Sequence, residues 1–290
     1  MNTGVKKVAA IHDLSGFGRS SLSAIIPILS TMGIQVCSLP TAVLSTHTGG
    51  FKNYSFVDLT DSMKNYIDHW KSLKIDFDSI YSGFLGSPEQ IDIISDFIDF
   101  FKTDSNFVVI DPVMADEGAL YSTMDYKMVE KMRTFIKKAD IITPNFTETC
   151  YLLNEKYHDF PDVSKIKSMA KSLSDMGPEI VIITSVPEDR ENKKTSVIAY
   201  NSNDNRYWKV SSNYIPAFYP GTGDIFTSII VGSLLQGDSL PIALDRSVNF
   251  ITTGIRASYG YDYPKREGIL LEKVLGSLNL PVFSSSYEMI

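Results

Sequence analysis

The fold class is indicated most clearly by residues 107–143, FVVIDPVMADEGALYSTMDYKMVEKMRTFIKKADIIT. This stretch begins with a short apolar run, Phe107–Asp111, and ends with a second one, Ile141–Thr143. Between them, Tyr126–Lys137 has the amphipathic spacing of a helix. A strand, a helix and a second strand in this order are typical of a β-α-β unit, in which the two strands run parallel.

The same alternation extends over most of the chain. Further strand candidates are Val8–Ile11, Ile34–Leu39, Ser79–Ser82 and Ile180–Thr184, and further helix candidates are Ser20–Met32, Leu59–Leu73, Pro88–Lys102, Lys165–Met176, Asp224–Gln236 and Pro241–Tyr259. Thr195–Tyr200 and Arg206–Ser211 flank a polar run and predict a β-hairpin. We expect an α/β fold, a three-layer αβα sandwich with a mostly parallel central sheet. One domain over residues 1–290 is expected, with a frayed tail from about residue 282.

The composition excludes several classes of protein. With 43% apolar residues, the 290-residue chain is too apolar to be disordered. Its formal charge of −7 argues against nucleic acid or an anionic membrane as a partner. Two cysteines exclude a disulfide framework, and no apolar run approaches the ~20 residues that span a bilayer. We therefore expect a soluble, cytoplasmic protein.

The strongest local motif is Pro220-Gly221-Thr222-Gly223-Asp224, at the start of the apolar helix candidate. The two glycines allow a sharp turn and a close approach to a ligand. The free amides of the first helical turn favour an anion such as a phosphoryl group. Asp224 is placed to accept a proton from an attacking hydroxyl, although the helix end is expected to keep it ionised and hence a weak base. The alternative is an ordinary helix cap beside turn glycines.

Polar residues also follow the other strand candidates, where ligands bind in parallel sheets. They are Asp13, Gly83-Phe84, Asp111, Thr143-Pro144-Asn145 and Thr184-Ser185. Asp111 is placed to contact a ligand or a metal, and its alternative role is that of a helix cap or turn residue. Glu148 is a candidate outer ligand of Mg²⁺, which prefers hard oxygen atoms. Its alternative role is a capping box with Asn145.

A small polar loop, Leu44-Ser45-Thr46-His47-Thr48-Gly49-Gly50, follows the second strand candidate and is predicted either to line a site or to be a flexible surface loop. Other motifs are incomplete. Gly16-Phe17-Gly18 begins like a dinucleotide fingerprint, but the third glycine and the later acidic residue are missing. The sequence also has no Gly-Lys-Ser/Thr P-loop and no His-Glu-x-x-His zinc motif.

Taken in order, these motifs resemble the pyridoxal kinase branch of the ribokinase-like superfamily. The resemblance extends from about Val5 to Leu275 and rests on six ordered segments. They are the strand around Ala10-Ile11, Ser45-Thr46-His47-Thr48-Gly49, Ser82-Gly83-Phe84-Leu85-Gly86, Asp111-Pro112-Val113-Met114, Thr143-Pro144-Asn145-Phe146-Thr147-Glu148 and Gly221-Thr222-Gly223-Asp224.

The resemblance implies transfer of the γ-phosphoryl group of Mg-ATP to the 5′-hydroxymethyl group of a vitamin B6 vitamer. Asp224 then corresponds to the catalytic base, and Gly221, Thr222 and Gly223 to the anion hole. Asp111 and Glu148 match residues near the phosphates and Mg²⁺, and Thr143, Asn145, Thr184 and Ser185 match residues that line the nucleotide. The family has no separate lid domain, is usually dimeric, and often uses a monovalent cation such as K⁺.

The substrate end departs from the family pattern. His47 and Thr48 match the loop that holds the pyridine ring. Asp13 stands where well-known members carry a serine, and it would favour a protonated ring nitrogen. Phe84 replaces a frequent tyrosine and keeps the aromatic wall without its hydroxyl. These changes leave the preferred vitamer open.

Other functions remain as alternatives. A hydroxymethylpyrimidine kinase would use the same chemistry on another small heteroaromatic alcohol. A sugar kinase is disfavoured because no segment is predicted to form an extra β lid, and the incomplete fingerprint disfavours a dehydrogenase. A non-catalytic nucleotide- or vitamer-binding protein would need the glycine amides but not the carboxylate of Asp224.

Overall fold

In the computed structural model, residues 4–157, 161–189, 194–213, 215–280 and 285–290 are described. The chain forms two compact units. The first unit comprises Met1–Gly83 and Ile215–Ser285, and the second comprises Phe84–Tyr214 and Ser286–Ile290. The prediction that the chain is a single domain without a lid stays a prediction.

Eight α-helices lie in the described residues. They are α1 (Leu22–Thr31), α2 (Thr60–Ser72), α3 (Pro88–Phe101), α4 (Tyr126–Phe135), α5 (Phe146–Leu153), α6 (Val163–Ser174), α7 (Thr222–Gln236) and α8 (Leu240–Tyr259). The described residues also contain short 3₁₀ helices at Ile136–Lys138, Lys265–Glu267, Leu271–Lys273 and Leu275–Asn279. No helix in the described ranges combines the length and apolar character needed to cross a bilayer.

Twelve strands lie in the same residues. They are β1 (Lys7–Ser15), β2 (Gln35–Leu44), β3 (Phe56–Asp58), β4 (Ser79–Ser82), β5 (Phe107–Ile110), β6 (Ala115–Asp116), β7 (Ala119–Leu120), β8 (Ile141–Ile142), β9 (Ile180–Asp189), β10 (Lys194–Asn201), β11 (Arg206–Asn213) and β12 (Tyr287–Met289).

The strands of the first unit have the order β4-β1-β2-β3. β1 is parallel to both β2 and β4, and β3 is antiparallel to β2 at the edge. Residues Val8–Ile11 of β1 are fully buried, as expected of a parallel strand with neighbours on both sides. α1 packs against β1, β2 and α7, and α7 packs against α8. The middle of α7 is buried from Ile225 to Ser233, which explains its almost uniformly apolar sequence.

The strands of the second unit have the order β12-β11-β10-β9-β8-β5. β5, β8 and β9 are parallel, and β10, β11 and β12 continue as antiparallel strands. α5 and α6 pack against β9, and α6 also packs against β10. The α/β class and the parallel strands predicted from the sequence are confirmed, and so is the hairpin of β10 and β11.

Some boundaries differ from the predictions. The prediction ended β1 at Ile11 and β9 at Thr184, but β1 continues to Ser15 and β9 to Asp189. Both strands continue because their partners extend as well, through pairings such as Ser15 with Leu44 and Val186 with Ser196. Within the expected tail, residues 282–284 lie outside the described residues, and Tyr287–Met289 pair with β11 as β12.

Candidate active site

The turn before α7 requires a glycine at position 221. Gly221 is the residue that precedes the helix, and its φ of 85° lies in the left-handed region. A Cβ atom at this position would lie 2.1 Å from the carbonyl oxygen of Arg19. Gly268 packs against the other side of the same residue, since its Cβ would lie 3.0 Å from both Cβ and the carbonyl oxygen of Arg19. The backbone at Arg19 is therefore tightly enclosed by the Gly221 turn and by the segment around Gly268.

The N-terminus of α7 has open hydrogen-bond donors. Its first backbone bond runs from the amide of Ile225 to the carbonyl of Gly221, at 3.1 Å. Gly221 supplies no side-chain cap. Within the described part of the chain, the preceding amides of Thr222, Gly223 and Asp224 have no acceptor. Three open N–H groups at a helix N-terminus suit an anionic oxygen cluster. The anion site itself stays a prediction.

Asp224 lies in this first turn and is held by one of its two oxygens. Its Oδ2 accepts a hydrogen bond from the backbone amide of Ser21 at 2.7 Å. Among the described residues, no donor reaches its Oδ1. Burial raises the pKa of Asp224 to about 7, the Ser21 amide opposes this rise, and the negative charge of Asp13 adds to it. The expectation of an ionised, weak base is wrong, because desolvation outweighs the helix end.

Asp13 is a buried neighbour of this carboxylate. Asp13 was predicted to follow the first strand. It lies within β1 instead, where the register with β2 shifts between His12 and Leu14. Such irregularities redirect side chains near functional sites. Its Oδ1 accepts from the Ser21 hydroxyl at 2.6 Å, and its Oδ2 accepts from the Ser15 hydroxyl at 3.1 Å. Burial raises the pKa of Asp13, and these two hydroxyls and His47 lower it.

His47 is buried, and both of its ring nitrogens have protein partners. Nε2 lies 2.7 Å from the carbonyl oxygen of Arg266, and Nδ1 lies 3.1 Å from the amide of Gly49, which donates to it. These partners assign the neutral tautomer with the proton on Nε2. Burial lowers the pKa of His47 and so favours the same neutral form. The neighbouring Thr48 is exposed.

Ser21 is a site residue that the sequence reasoning missed. It donates its amide to Asp224 and its hydroxyl to Asp13, although it is separated from them by 203 and 8 residues in the chain. The sequence signal at Ser20-Ser21 was that of a helix start, and Ser21 does occupy the position before α1. Its side chain, however, makes no capping bond. No pattern in the neighbouring sequence indicates its hydrogen bond to Asp224.

In the second unit, the structure brings together residues that follow β5 and β8. The amide of Thr143 donates to the carbonyl of Ile110 at 3.2 Å, which places Thr143 beside the end of β5, where the buried Asp111 follows. Asn145 pairs as a parallel bridge with Thr184, whose amide donates to the Pro144 carbonyl at 2.9 Å. Asp111, Thr143 and Asn145 thus follow neighbouring parallel strands, as predicted, whereas Thr184 lies inside β9, which continues to Asp189.

Glu148 links α5 to the segment after β5. Its Oε2 accepts from the amide of Asn145 at 2.9 Å, and Asn145 Oδ1 accepts from the amide of Glu148 at 2.8 Å. This pair is the predicted capping box, which is confirmed. Its Oε1 accepts from the Met114 amide at 3.0 Å. Burial raises the pKa of Glu148 to about 8, while the amides of Asn145, Met114 and Ala115 oppose the rise.

Two predicted residues stand apart from these contacts. Ser185 is exposed, has a φ of 56°, and lies inside β9 rather than beyond its end. It coincides with a register shift between β9 and β10. Phe84 is the first residue of the second unit and is half-buried.

The second unit contains two buried carboxylates, Asp111 and Glu148, whose oxygens are candidate donors for Mg²⁺. No group of three or more His, Cys, Asp or Glu side chains suited to a metal occurs in the described ranges. Mg²⁺ bound with a nucleotide, however, usually takes one or two carboxylates, with phosphates and water completing its shell. Asp111 and Glu148 offer two such carboxylates. Oε2 of Glu148 accepts one amide, from Asn145, and keeps a lone pair for a metal, whereas Oε1 accepts from the amides of Met114 and Ala115. These residues fit an ion of that kind.

Comparison with known proteins identifies relatives over most of the chain. The model of the phosphomethylpyrimidine kinase family matches residues 22–268. A protein from Bacteroides thetaiotaomicron VPI-5482 that carries the name phosphomethylpyrimidine kinase was crystallised with pyridoxal. It is 58% identical in sequence and has a TM-score of 0.96, and the match covers 99% of this chain and 100% of that one.

Pyridoxal kinases are also similar to this chain. The crystal structure of the pyridoxal kinase from Lactobacillus plantarum is 28% identical, with a TM-score of 0.86 and coverage of 95% of this chain and 97% of that one. A pyridoxal kinase of Corynebacterium diphtheriae is 26% identical over 271 residues, covering 91% of this chain and 93% of its own length. The ribokinase-like fold expected from the motifs is confirmed. Because the family match spans most of its length, the chain belongs to the phosphomethylpyrimidine kinase family, in which it is similar to the pyridoxal kinases.

Proposed function

We propose that this chain is a kinase that transfers the γ-phosphoryl group of ATP to the 5′-hydroxymethyl group of a vitamin B6 vitamer, namely pyridoxal, pyridoxine or pyridoxamine. The observation that carries the proposal is Asp224 at the open N-terminus of α7. A carboxylate with a pKa of about 7 is matched to accept a proton at neutral pH. The amides beside it are suited to the charge of a transferring phosphoryl group.

The reaction is an in-line displacement at the γ-phosphorus. Oδ1 of Asp224 accepts the proton of the 5′-hydroxyl group as the hydroxyl oxygen forms a bond to the γ-phosphorus. The bond between that phosphorus and the β–γ bridging oxygen breaks, and ADP departs with the bond's electron pair. The amides of Thr222, Gly223 and Asp224 donate hydrogen bonds to the phosphoryl oxygens as they gain charge.

At the nucleotide end, the proposed contacts come from the second unit. Thr143, Asn145, Thr184 and Ser185 are assigned to the nucleotide, as the family resemblance implies. Asp111 and Glu148 would hold Mg²⁺, which neutralises charge on the phosphates when it is bound. The buried position of both carboxylates supports this assignment, because water competes less well for their charge.

At the acceptor end, Asp13, His47, Thr48 and Phe84 are assigned to the vitamer. The two ring nitrogens of His47 are already bonded to Arg266 and Gly49, so His47 is assigned a role in fixing the loop. The exposed Thr48 then offers the hydroxyl for a ring substituent. Asp13 supplies the charge for a protonated ring nitrogen.

The proposal is tested by ADP release with ATP and Mg²⁺ in the presence of pyridoxal, pyridoxine, pyridoxamine or hydroxymethylpyrimidine. We expect turnover with at least one B6 vitamer and a loss of at least ~100-fold in the Asp224→Ala protein, which is the scale of a missing general base. Turnover with hydroxymethylpyrimidine alone would assign the activity to the thiamine pathway instead. ATP binding without turnover on any acceptor would favour a non-catalytic binding protein.

Two expectations from the resemblance stay predictions. One is a homodimer, which light scattering of the purified protein would detect. The other is a requirement for a monovalent cation such as K⁺, which the same ADP assay would detect if K⁺ were replaced by a bulky organic cation. The cytoplasmic location also stays a prediction.

A further inference from the structure

Ser21 connects two carboxylates through two different groups. Its backbone amide donates to Oδ2 of Asp224 at 2.7 Å, and its hydroxyl donates to Oδ1 of Asp13 at 2.6 Å. Both bonds are short and have a carboxylate acceptor, the strong class of protein hydrogen bond. Ser21 and Asp13 are buried, so little water competes for these contacts.

The backbone of Ser21 adopts an unusual conformation that makes both bonds feasible. Its φ is 49° and its ψ is −140°, a region that residues with a Cβ atom rarely occupy. A serine before a helix normally accepts a bond from an amide of the first turn, but Ser21 does not. Its carbonyl instead accepts from the amides of Ala24 and Ile25, both at 2.9 Å. The strained residue therefore starts α1 with its carbonyl and directs its amide and hydroxyl to the carboxylates.

We propose that Ser21 is a positioning residue for phosphoryl transfer, which holds the base Asp224 by one oxygen and fixes Asp13 beside it. The proposal rests on the proposed function. With Oδ2 of Asp224 occupied by the Ser21 amide, Oδ1 is the oxygen left to accept the proton of the acceptor hydroxyl. With its hydroxyl bonded to Asp13, Ser21 also stabilises the ionised form of Asp13.

This arrangement links the charge of Asp13 to the basicity of Asp224. The negative charge of Asp13 raises the pKa of Asp224, and the Ser21 and Ser15 hydroxyls and His47 lower the pKa of Asp13. Of the other groups nearby, the hydroxyl of Tyr81 lies 3.5 Å from the Asp224 carbonyl, and the guanidinium of Arg19 pairs with Glu272. Loss of the Ser21 hydroxyl should protonate Asp13 more readily and remove the charge that opposes ionisation of Asp224.

The test compares Ser21→Ala with Ser20→Ala. Ser20 is the adjacent buried serine, and its hydroxyl has no hydrogen-bond partner among the described residues, so its variant controls for loss of a buried hydroxyl. For both variants and the wild type, kcat and KM for the vitamer are measured from pH 5.5 to 9, together with the melting temperature.

For Ser21→Ala we expect kcat to fall ~10-fold, since small displacements of a reacting group cost up to ~100-fold. The acidic limb of kcat/KM should move to lower pH by about half a unit or more, the direction set by the lost charge of Asp13. Ser20→Ala should keep the wild-type pH profile. A structural role alone would lower the melting temperature without moving the acidic limb.

A second variant keeps the test decisive where Ser21→Ala folds poorly. Ser21→Gly also lacks the hydroxyl, but glycine adopts a φ of 49° without strain, so its fold is retained. The same shift of the acidic limb is expected for it. Wild-type kcat and an unmoved acidic limb in Ser21→Gly would overturn the positioning role while leaving the kinase function intact. Absence of turnover by the wild type on every acceptor would overturn both.

Discussion

The N-termini of α7 and α5 both follow motifs that the sequence assigned to ligands, yet their donors are used in opposite ways. α7 begins after Gly221, has no side-chain cap, and leaves the amides of its first turn open. α5 begins after Asn145, whose side chain and that of Glu148 cap each other's backbone amides. The start of α7 offers three amides to an anion, whereas the start of α5 uses the amides of Asn145 and Glu148 to fix its own geometry.

Asp224 and Glu148, the buried carboxylates at these two helix starts, also differ in how many of their hydrogen-bonding atoms are already used. Burial raises the pKa of Asp224 to about 7 and that of Glu148 to about 8. Asp224 accepts one backbone bond and keeps an oxygen for proton transfer. Glu148 accepts backbone bonds on both oxygens, from Asn145 and from Met114. Desolvation alone therefore does not distinguish a base from a structural carboxylate. The number of oxygens already engaged does.

The largest effect is expected for Asp224→Asn. This variant keeps an oxygen for the Ser21 amide but cannot accept a proton, so turnover should fall by at least ~100-fold. In the wild type, kcat/KM should fall as the pH drops below about 7, because protonated Asp224 is inactive as a base. Both are measured by ADP release across pH. Turnover within ten-fold of wild type would show that Asp224 is not the base, and the proposed difference between Asp224 and Glu148 would be wrong.

The same variant should change stability in a pH-dependent way. The pKa of Asp224 is raised from its ordinary value of 3.8 to about 7 in the folded protein, so the folded state binds this proton more tightly than the unfolded state. Its contribution to stability is therefore lost as the pH rises from about 4 to about 7. Asp224→Asn should melt at a higher temperature than wild type at pH 8, and the gain should vanish near pH 4. A gain that grows toward acidic pH would contradict this linkage.

A smaller effect is expected for Gly221→Ala, with Gly237→Ala as its control. Both glycines flank α7 and have positive φ, 85° and 91°. The Cβ at position 221 would lie 2.1 Å from the Arg19 carbonyl, whereas nothing lies within 4 Å at position 237. Backbone strain of about 1–2 kcal/mol applies to both. Only Gly221→Ala should also displace the turn and reduce turnover, by roughly 10-fold or more.

Equal losses of activity in the two glycine variants would show that the left-handed conformation, rather than the close approach to Arg19, limits position 221. Melting temperatures of both proteins separate this outcome from a general loss of folding. Gly237→Ala should lower the melting temperature while leaving turnover unchanged.

The smallest effect on turnover is expected for Glu148→Gln. The amide nitrogen of glutamine cannot accept a backbone bond, so one of the amides at Asn145 or Met114 loses its acceptor. This should cost about 1–3 kcal/mol in the free energy of unfolding, measured by denaturant titration. Asp116→Asn is the matched control, because it keeps an oxygen for the Glu117 amide. Because Glu148 is also assigned to Mg²⁺, the variant should bind Mg-ATP more weakly as well. Unchanged affinity for Mg-ATP would leave Glu148 with the capping role alone.

The sequence predicted those features whose signals are local. α3 begins at Pro88 as expected, since Ser87 Oγ accepts from the Gln90 amide and proline occupies the first helical position. Ser87 and Gln90 also predict a capping box, but its second half is absent, because the Gln90 side chain accepts from the amide of Gly86 instead of that of Ser87. The prediction missed four short strands, β3, β6, β7 and β12. β3 and β12 have three residues each and pair with β2 and β11, and the two-residue strands β6 and β7 pair with each other.

At the candidate site, residue identity was predictable and protonation was not. The Gly221–Asp224 turn carries its own signal in two glycines before an apolar helix. The basicity of Asp224 depends on burial and on Asp13, which lies 211 positions earlier in the chain. Ser21 escaped for the same reason, since its bond to Asp224 has no counterpart in the neighbouring sequence.

The two hydrogen bonds that Ser21 donates have a consequence for how such a chain can diverge. Asp13 and Asp224 are 211 positions apart in the sequence, but both are hydrogen-bonded to Ser21. A substitution at position 13 that suits a different alcohol would remove the acceptor of the Ser21 hydroxyl, and Ser21 is also the residue that holds Asp224. The range of acceptors and the catalytic rate are therefore not independent, because a substitution that changes the one also changes the other.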